Sequence, residues 1–187
     1  MESNTGNVLF RITGISTIVS LICWLIFSFL KPRLSDTKVL SDYFLSTLKL
    51  YKICERLSGA FLYLFIFLLG AVIALFLADY FELPKLPAAG VICIILGIVF
   101  FIMILSYTLP VIINKPEVQT VTVTDTYAEY RGAKFKSWHY GVCLSNGTKH
   151  VLPYEEYAAA QAGDQYYAVM CGHLNIGIYK TSDYTVP

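Results

Sequence analysis

The two apolar runs Ala60–Ala78 and Ala88–Tyr107 constrain this chain more than any other feature, since neither contains an Asp, Glu, Lys, Arg or His. Each has about the ~20 residues that a helix needs to cross a ~30 Å hydrocarbon layer. A helix in water keeps a polar stripe, and Phe61–Leu69 has none. The linker Asp79–Pro87 is too short for a folded unit. It reads as a turn, broken by Pro84 and Pro87, with Tyr80 and Phe81 at headgroup level. The pair is expected to form a transmembrane hairpin.

Composition agrees. Charged residues make up 14% of the 187 residues and hydrophobic ones 56%, against about 25% charged in average globular usage. The deficit falls in the first two thirds. A net charge of +1 gives no global field to draw in nucleic acid or an acidic partner. The cysteines, Cys23, Cys54, Cys93, Cys143 and Cys171, are odd in number and scattered, which is not a disulfide framework and suits a reducing compartment.

A further apolar run, Ile12–Leu30, is entered at Arg11 and ended by Lys31-Pro32-Arg33. A cleaved signal would have a basic start and a small-residue cleavage site, so this run reads as a retained span. Thr13, Ser16, Thr17 and Ser20 share one helical face. They suit helix–helix contact in lipid, or bonds to their own backbone. The expected spans are therefore about 12–30, 60–78 and 88–110, with Pro110 kinking or ending the last.

Between the first two spans, an amphipathic helix is expected over about 36–56. Leu40, Tyr43, Phe44, Thr47, Leu48, Tyr51 and Cys54 recur at three- and four-residue steps, and Ser35 or Asp36 offers a cap. Such a helix lies in the membrane interface or continues into the second span. Its loop holds Lys31, Arg33, Lys38, Lys49, Lys52 and Arg56, whereas the second linker holds only Lys85. The positive-inside rule then places the N-terminus outside and the C-terminal domain in the cytoplasm.

From Glu117 the period changes from helical to alternating, which divides the chain into a membrane part, 1–116, and a soluble part, 117–187. The expected strands cover Val118–Val123, Phe135–Leu144, Thr148–Leu152, Gln165–Cys171 and Leu174–Lys180. Asn146-Gly147 is a hairpin signal for a two-residue loop. Pro153–Gln161 reads as a short helical turn with proline at its first position, ended by Gly163-Asp164. The expected fold class is α+β: three transmembrane helices, an amphipathic helix and a five-stranded SH3-like or OB-like barrel.

The order Tyr140-Gly-Val142, hairpin, Val151, Tyr154-Glu-Glu-Tyr157, Gly163-Asp164 and Leu174–Tyr179 resembles the soluble domain of a group of small, uncharacterised bacterial membrane-anchored proteins. The resemblance covers roughly forty residues of the tail. It implies a small β-barrel at a bacterial cell membrane, expected to be the inner membrane, and no activity. Three spans depart from the simpler anchor usual in that group.

Candidate chemistry lies in the tail. A two-residue loop pairs Cys143 with His150, with His139 on the same face, and these three are the candidates for a metal or thiol site. The spacings His139-x3-Cys143 and Cys171-x-His173 are not those of a zinc ribbon or finger. No third group orients Cys143 and His150 for nucleophilic work, and Glu155 and Glu156 are neighbours whose side chains diverge. No catalytic residue and no cofactor is therefore assigned.

Arg131, Lys134, Lys136 and Trp138 interleave base and aromatic and form the candidate interaction surface. The tail's slight acidity argues against nucleic acid as its partner, and anionic lipid headgroups suit the same lysines. The chain thus reads as a non-enzymatic, multi-pass membrane protein that presents a cytoplasmic interaction module. Its expected partners are the lipid bilayer and a protein or a second copy of itself. The alternatives are an oligomeric channel or an accessory subunit of a transport complex, and a membrane-tethered metal or thiol protein.

Overall fold

The computed structural model describes residues 2–34, 36–81, 86–131 and 137–187, with side chains described from residue 8 onward except at 86 and 131. Helices α1 (Glu2–Phe29), α2 (Asp42–Tyr80) and α3 (Leu86–Ile113) are followed by β1 (Pro116–Arg131), β2 (Ser137–Leu144) and β3 (Lys149–Leu152). Helix α4 (Tyr154–Ala159), β4 (Gln165–Cys171) and β5 (Leu174–Lys180) complete the chain. Two compact units result. One comprises the residues up to Arg33 and Leu50–Ile112, the other Leu34–Lys49 and Ile113–Pro187.

In the helical unit all three helices are long and apolar enough to cross a membrane. Aromatic rings fill the contacts among them: Phe27 stacks on Phe61 at 5.7 Å, Phe61 meets Phe101 at 5.2 Å, and Phe67 stacks on Phe100 at 5.5 Å. Two glycines of α3 bring it close to α2. A Cβ at Gly97 would stand 2.9 Å from the Phe67 Cβ, and one at Gly90 would stand 3.2 Å from Leu75. Gly14 has open space around it. Thr13, Thr17 and Ser20 are buried, and their hydroxyls donate to the carbonyls of Leu9, Thr13 and Ser16 at 2.7–2.8 Å. Both readings of that face therefore hold: it packs, and its polar atoms are satisfied within the helix. Helix α3 runs through Pro110 to Ile113 instead of ending there.

Helix α2 corrects one boundary. It begins at Asp42, not near 36, and it runs without a break into the second apolar run. At about 1.5 Å per residue its 39 residues extend about 58 Å. Ser41 is the cap: its Oγ accepts the Phe44 N–H at 3.3 Å. Residues before it are extended, because Leu40 N donates to Thr185 O at 2.8 Å and Thr185 N to Lys38 O at 2.9 Å. That parallel strap is why 34–49 groups with the sheet and not with the helices.

The second unit is a five-stranded antiparallel sheet of order β3-β2-β1-β4-β5, curled into a half-barrel. Its bend comes from β1, which runs far beyond the expected Val118–Val123. Pro116–Thr122 pairs with β4, and Val123–Arg131 pairs with β2, with a bulge between Val123 and Asp125. A bulge bends the strand and increases its twist. The handover is clasped from two loops, by Ser145 N to Thr122 O and Val123 N to Asp164 O, each at 2.9 Å.

One face of the sheet carries the core of Val121, Val123, Val142, Leu144, Leu152, Tyr166, Ala168 and Met170, with Tyr157 of α4 and Ile178 against it. On the other face, Phe44 meets the Tyr179 ring edge-on at 5.6 Å, and Leu48 lies against Gly177. Leu40, Phe44 and Leu48 are buried there, as the helical stripe predicts, while Tyr43 is exposed. At Gly172 the φ of +62° and the adjacent Asn114 side chain both call for glycine.

Candidate functional site: a tyrosine-lined acidic cleft

The Cys143–His150 pairing predicted from a two-residue hairpin loop is not what forms. Gly147 N donates to Leu144 O and Leu144 N to Thr148 O, both at 2.9 Å, so Ser145-Asn146-Gly147 is a three-residue loop. Gly147 has φ +80°, the left-handed residue that such a loop requires. Asn146 Oδ1 accepts from both the N–H and the hydroxyl of Thr148, at 3.1 and 2.7 Å. One extra loop residue shifts the register by one. Cys143 now faces Lys149, and His150 faces Val142.

Because side chains alternate along a strand, Cys143 and His150 lie on opposite faces of the sheet. His139 remains on the Cys143 face, opposite Glu129, and its Nε2 is 3.1 Å from Ser137 Oγ. Among the described residues no three His, Cys, Asp or Glu side chains gather as a metal site would require.

Of the predicted interaction surface, Trp138 is described and stands 56% exposed. Lys134 and Lys136, and the Arg131 side chain, lie outside the described residues. Trp138 belongs to an aromatic row on the core-facing side of β1 and β2. It is 5.1 Å from Tyr130 and 6.3 Å from Tyr140, and Tyr140 lies 5.0 Å from both Tyr154 and Tyr157. The alternation of Trp138, Tyr140, Val142 and Leu144 placed these rings on one face. The row runs from buried valines at one end to open tryptophan at the other.

Sequence reasoning missed a cleft of about 610 Å³, lined by Glu155, Glu156 and Ala159 of α4, Tyr166 of β4, Ile178–Lys180 of β5, and Ser182–Tyr184. Its walls come from parts of the chain up to 29 residues apart, joined by two fixed points. Asp164 Oδ2 accepts from Gln161 N and from Lys180 Nζ, each at 3.1 Å. The Gln161 amide first, and then Lys180, hold the Asp164 carboxyl below the usual carboxylate range, and the same bond raises Lys180. At the other wall, Tyr184 packs on Tyr179 at 4.8 Å. Burial first, and then Tyr184, push the Tyr179 phenol up to about 12.

Tyr166 lines the cleft and is 5% exposed. Burial raises its pKa most, and the carboxylates of Asp164, Glu156 and Asp183 raise it further against the opposing Lys180. The phenol thus stands among charges of both signs, one lysine and three carboxylates. The only local hint in the sequence was Gly163-Asp164, read as a breaker. Nothing in the sequence linked it to Lys180 or to Asp183.

No family model matches the chain, and neither the curated proteins nor the solved structures gave a match.

Proposed function

We propose that this is a multi-pass membrane protein whose helical unit anchors a cytoplasmic β unit, of SH3-like or OB-like kind, that works as a non-enzymatic interaction module. One observation carries the first part. No more than 17% of any of the three most apolar helical windows is buried, and the exterior is made of residues such as Phe29, Ile15 and Ile102. Water does not tolerate an apolar surface of that extent, and hydrocarbon does.

The basic residues support a membrane boundary near the start of the second apolar run. Within the helical unit, Lys52 Nζ binds Glu55 at 2.9 Å, Lys31 lies over the Tyr51 ring at 4.8 Å, and Arg56 donates to the Tyr107 carbonyl. Such a belt of bases and tyrosines suits headgroups on the cytoplasmic side. The module reading is supported by the open aromatic row ending at Trp138 and by the acidic cleft. Exposed Trp and Tyr are common anchors in protein interfaces.

Crosslinking in native membranes, followed by mass spectrometry, tests the reading. A specific protein partner or a second copy, captured through the β unit and lost in Trp138→Ala, is the expected result. Recovery of no specific partner, together with loss of an ion flux on deletion of the gene, overturns it.

A further inference from the structure

We infer that the helical unit holds one chain of an anionic phospholipid in a groove between α1, α2 and α3, with the lipid phosphate at Arg11. The inference rests on the reading of that unit as membrane-spanning. The groove has a volume of about 490 Å³. Thr13, Ser20 and Leu68 form its buried floor, and Ile15, Val19 and Ile98 stand exposed along its rim. It exists because α1 carries the short side chains of Thr13, Ser16 and Ser20 where larger ones would fill the space against Phe61 and Leu64 of α2.

The lining sets the chemistry of the occupant. The Thr13 and Ser20 hydroxyls donate to the carbonyls of Leu9 and Ser16, each at 2.8 Å. They are satisfied within α1, so the floor accepts hydrocarbon. Left empty, the groove would forfeit the dispersion contacts of its walls.

Its length matches one fatty chain. From Leu9 to Ser20, both of which line it, α1 rises about 16 Å. That is close to half of a ~30 Å hydrocarbon layer, the depth of one leaflet. A helix about 10 Å across would need roughly 1,300 Å³ over the same length, more than the groove provides.

Charge supplies the independent argument. Arg11 is exposed, and it precedes the rim residue Ile15 by four positions, the spacing at which helical side chains are neighbours. It therefore stands beside the end of the groove where Leu9 lies. Between Glu2 and Asp36 the chain contains no acid, so the sequence around Arg11 provides no carboxylate. A lipid phosphate at headgroup level supplies the complementary charge, and a guanidinium can grip two of its oxygens.

The test is native mass spectrometry of the full chain, purified in detergent and given equimolar phosphatidylglycerol and phosphatidylcholine with the same fatty chains. One bound lipid per chain is expected, with phosphatidylglycerol favoured about fivefold. Arg11→Gln keeps a bound lipid and loses the preference. Ser16→Phe fills the groove from α1 and Ile98→Trp fills it from α3. Each lowers the binding of both lipids by about tenfold.

Absence of bound lipid, equal binding of the two lipids by the wild type, or unchanged binding in both groove-filling variants overturns the proposal. A dimer that both of those variants dissolve also overturns it, by giving the groove to a second copy. A chain that stays in solution without detergent removes the membrane reading together with the site. A chain that needs detergent and binds no lipid removes only the site.

Discussion

In the helical unit Thr13, Thr17, Ser20 and Thr108 are buried, while Ile15, Phe76 and Ile102 stand outside. In the β unit the order is reversed: Val121, Val123, Val142 and Ala168 are inside, and Glu155, Glu156 and Lys149 are outside. The inversion is the one expected if, as proposed, the helical unit stands in hydrocarbon and the β unit in water. Where hydrocarbon is the surroundings, burying a leucine gains little, and helices meet through small residues and satisfied hydroxyls. Where water is the surroundings, burial of valines and aromatics drives the fold. Gly97 against Phe67 and Val142 in its core are the two solutions side by side.

Substitutions at two close-packed glycines sharpen this contrast, and the largest effect belongs to the sheet. A Cβ on Gly141 would collide with the His150 carbonyl oxygen, which is backbone, and stand 2.5 Å from the Tyr127 hydroxyl. Gly141→Ala should therefore cost about 3 kcal/mol by parting β2 from β3. Thermal unfolding followed by Trp138 fluorescence checks it, and an unchanged Tm would show that the β2–β3 register is wrong.

Gly97→Val should cost about 2 kcal/mol, because the Phe67 Cβ cannot yield without moving α2. Its loss should appear on unfolding in detergent while the β-unit signal is kept. Equal loss of both signals would mean that the two units unfold together.

Asp164→Asn should cost about 1 kcal/mol and remove an acid-side transition. The sign follows from the lowered Asp164 pKa. Its contribution is complete above the unfolded value of about 3.9 and disappears as the pH falls through the lower folded value. Wild type should lose stability over that range and the variant should not, as measured by denaturant midpoints from pH 5 downward. At the alkaline end, Tyr179, raised to about 12, should cost stability from its unfolded value of about 10 up to that point. The smallest effect is expected at Gly14→Ala, which meets open space and should gain up to about 0.5 kcal/mol of helix propensity.

What could be read in advance followed the range of the interactions. Charge-free runs and alternating valines act over a few residues, so the three long helices and the five strands were legible. Effects that depend on partners distant in sequence were not. Ser41 caps α2 in place of Ser35 or Asp36 because the strap to Thr185 keeps the preceding residues extended. The bulge at Thr124 turned an expected six-residue strand into one of 16 residues, since β4 and β2 each pair with half of it. At Asn146-Gly147 the turn residues were recognised and the loop was one residue too short, which reversed the face assigned to His150. The cleft depends on Asp164 meeting Lys180, 16 residues apart, and no local pattern announces that.

The most direct measurement of the account is labelling with a membrane-impermeant maleimide in intact cells, with the native cysteines replaced by alanine. Phe81→Cys and Tyr154→Cys each place one thiol at an exposed position, the first just after α2 and the second in the β unit. The account predicts that the thiol at 81 is labelled in intact cells and the thiol at 154 only after the membrane is opened. Labelling at 154 in intact cells, with protection at 81, would contradict it.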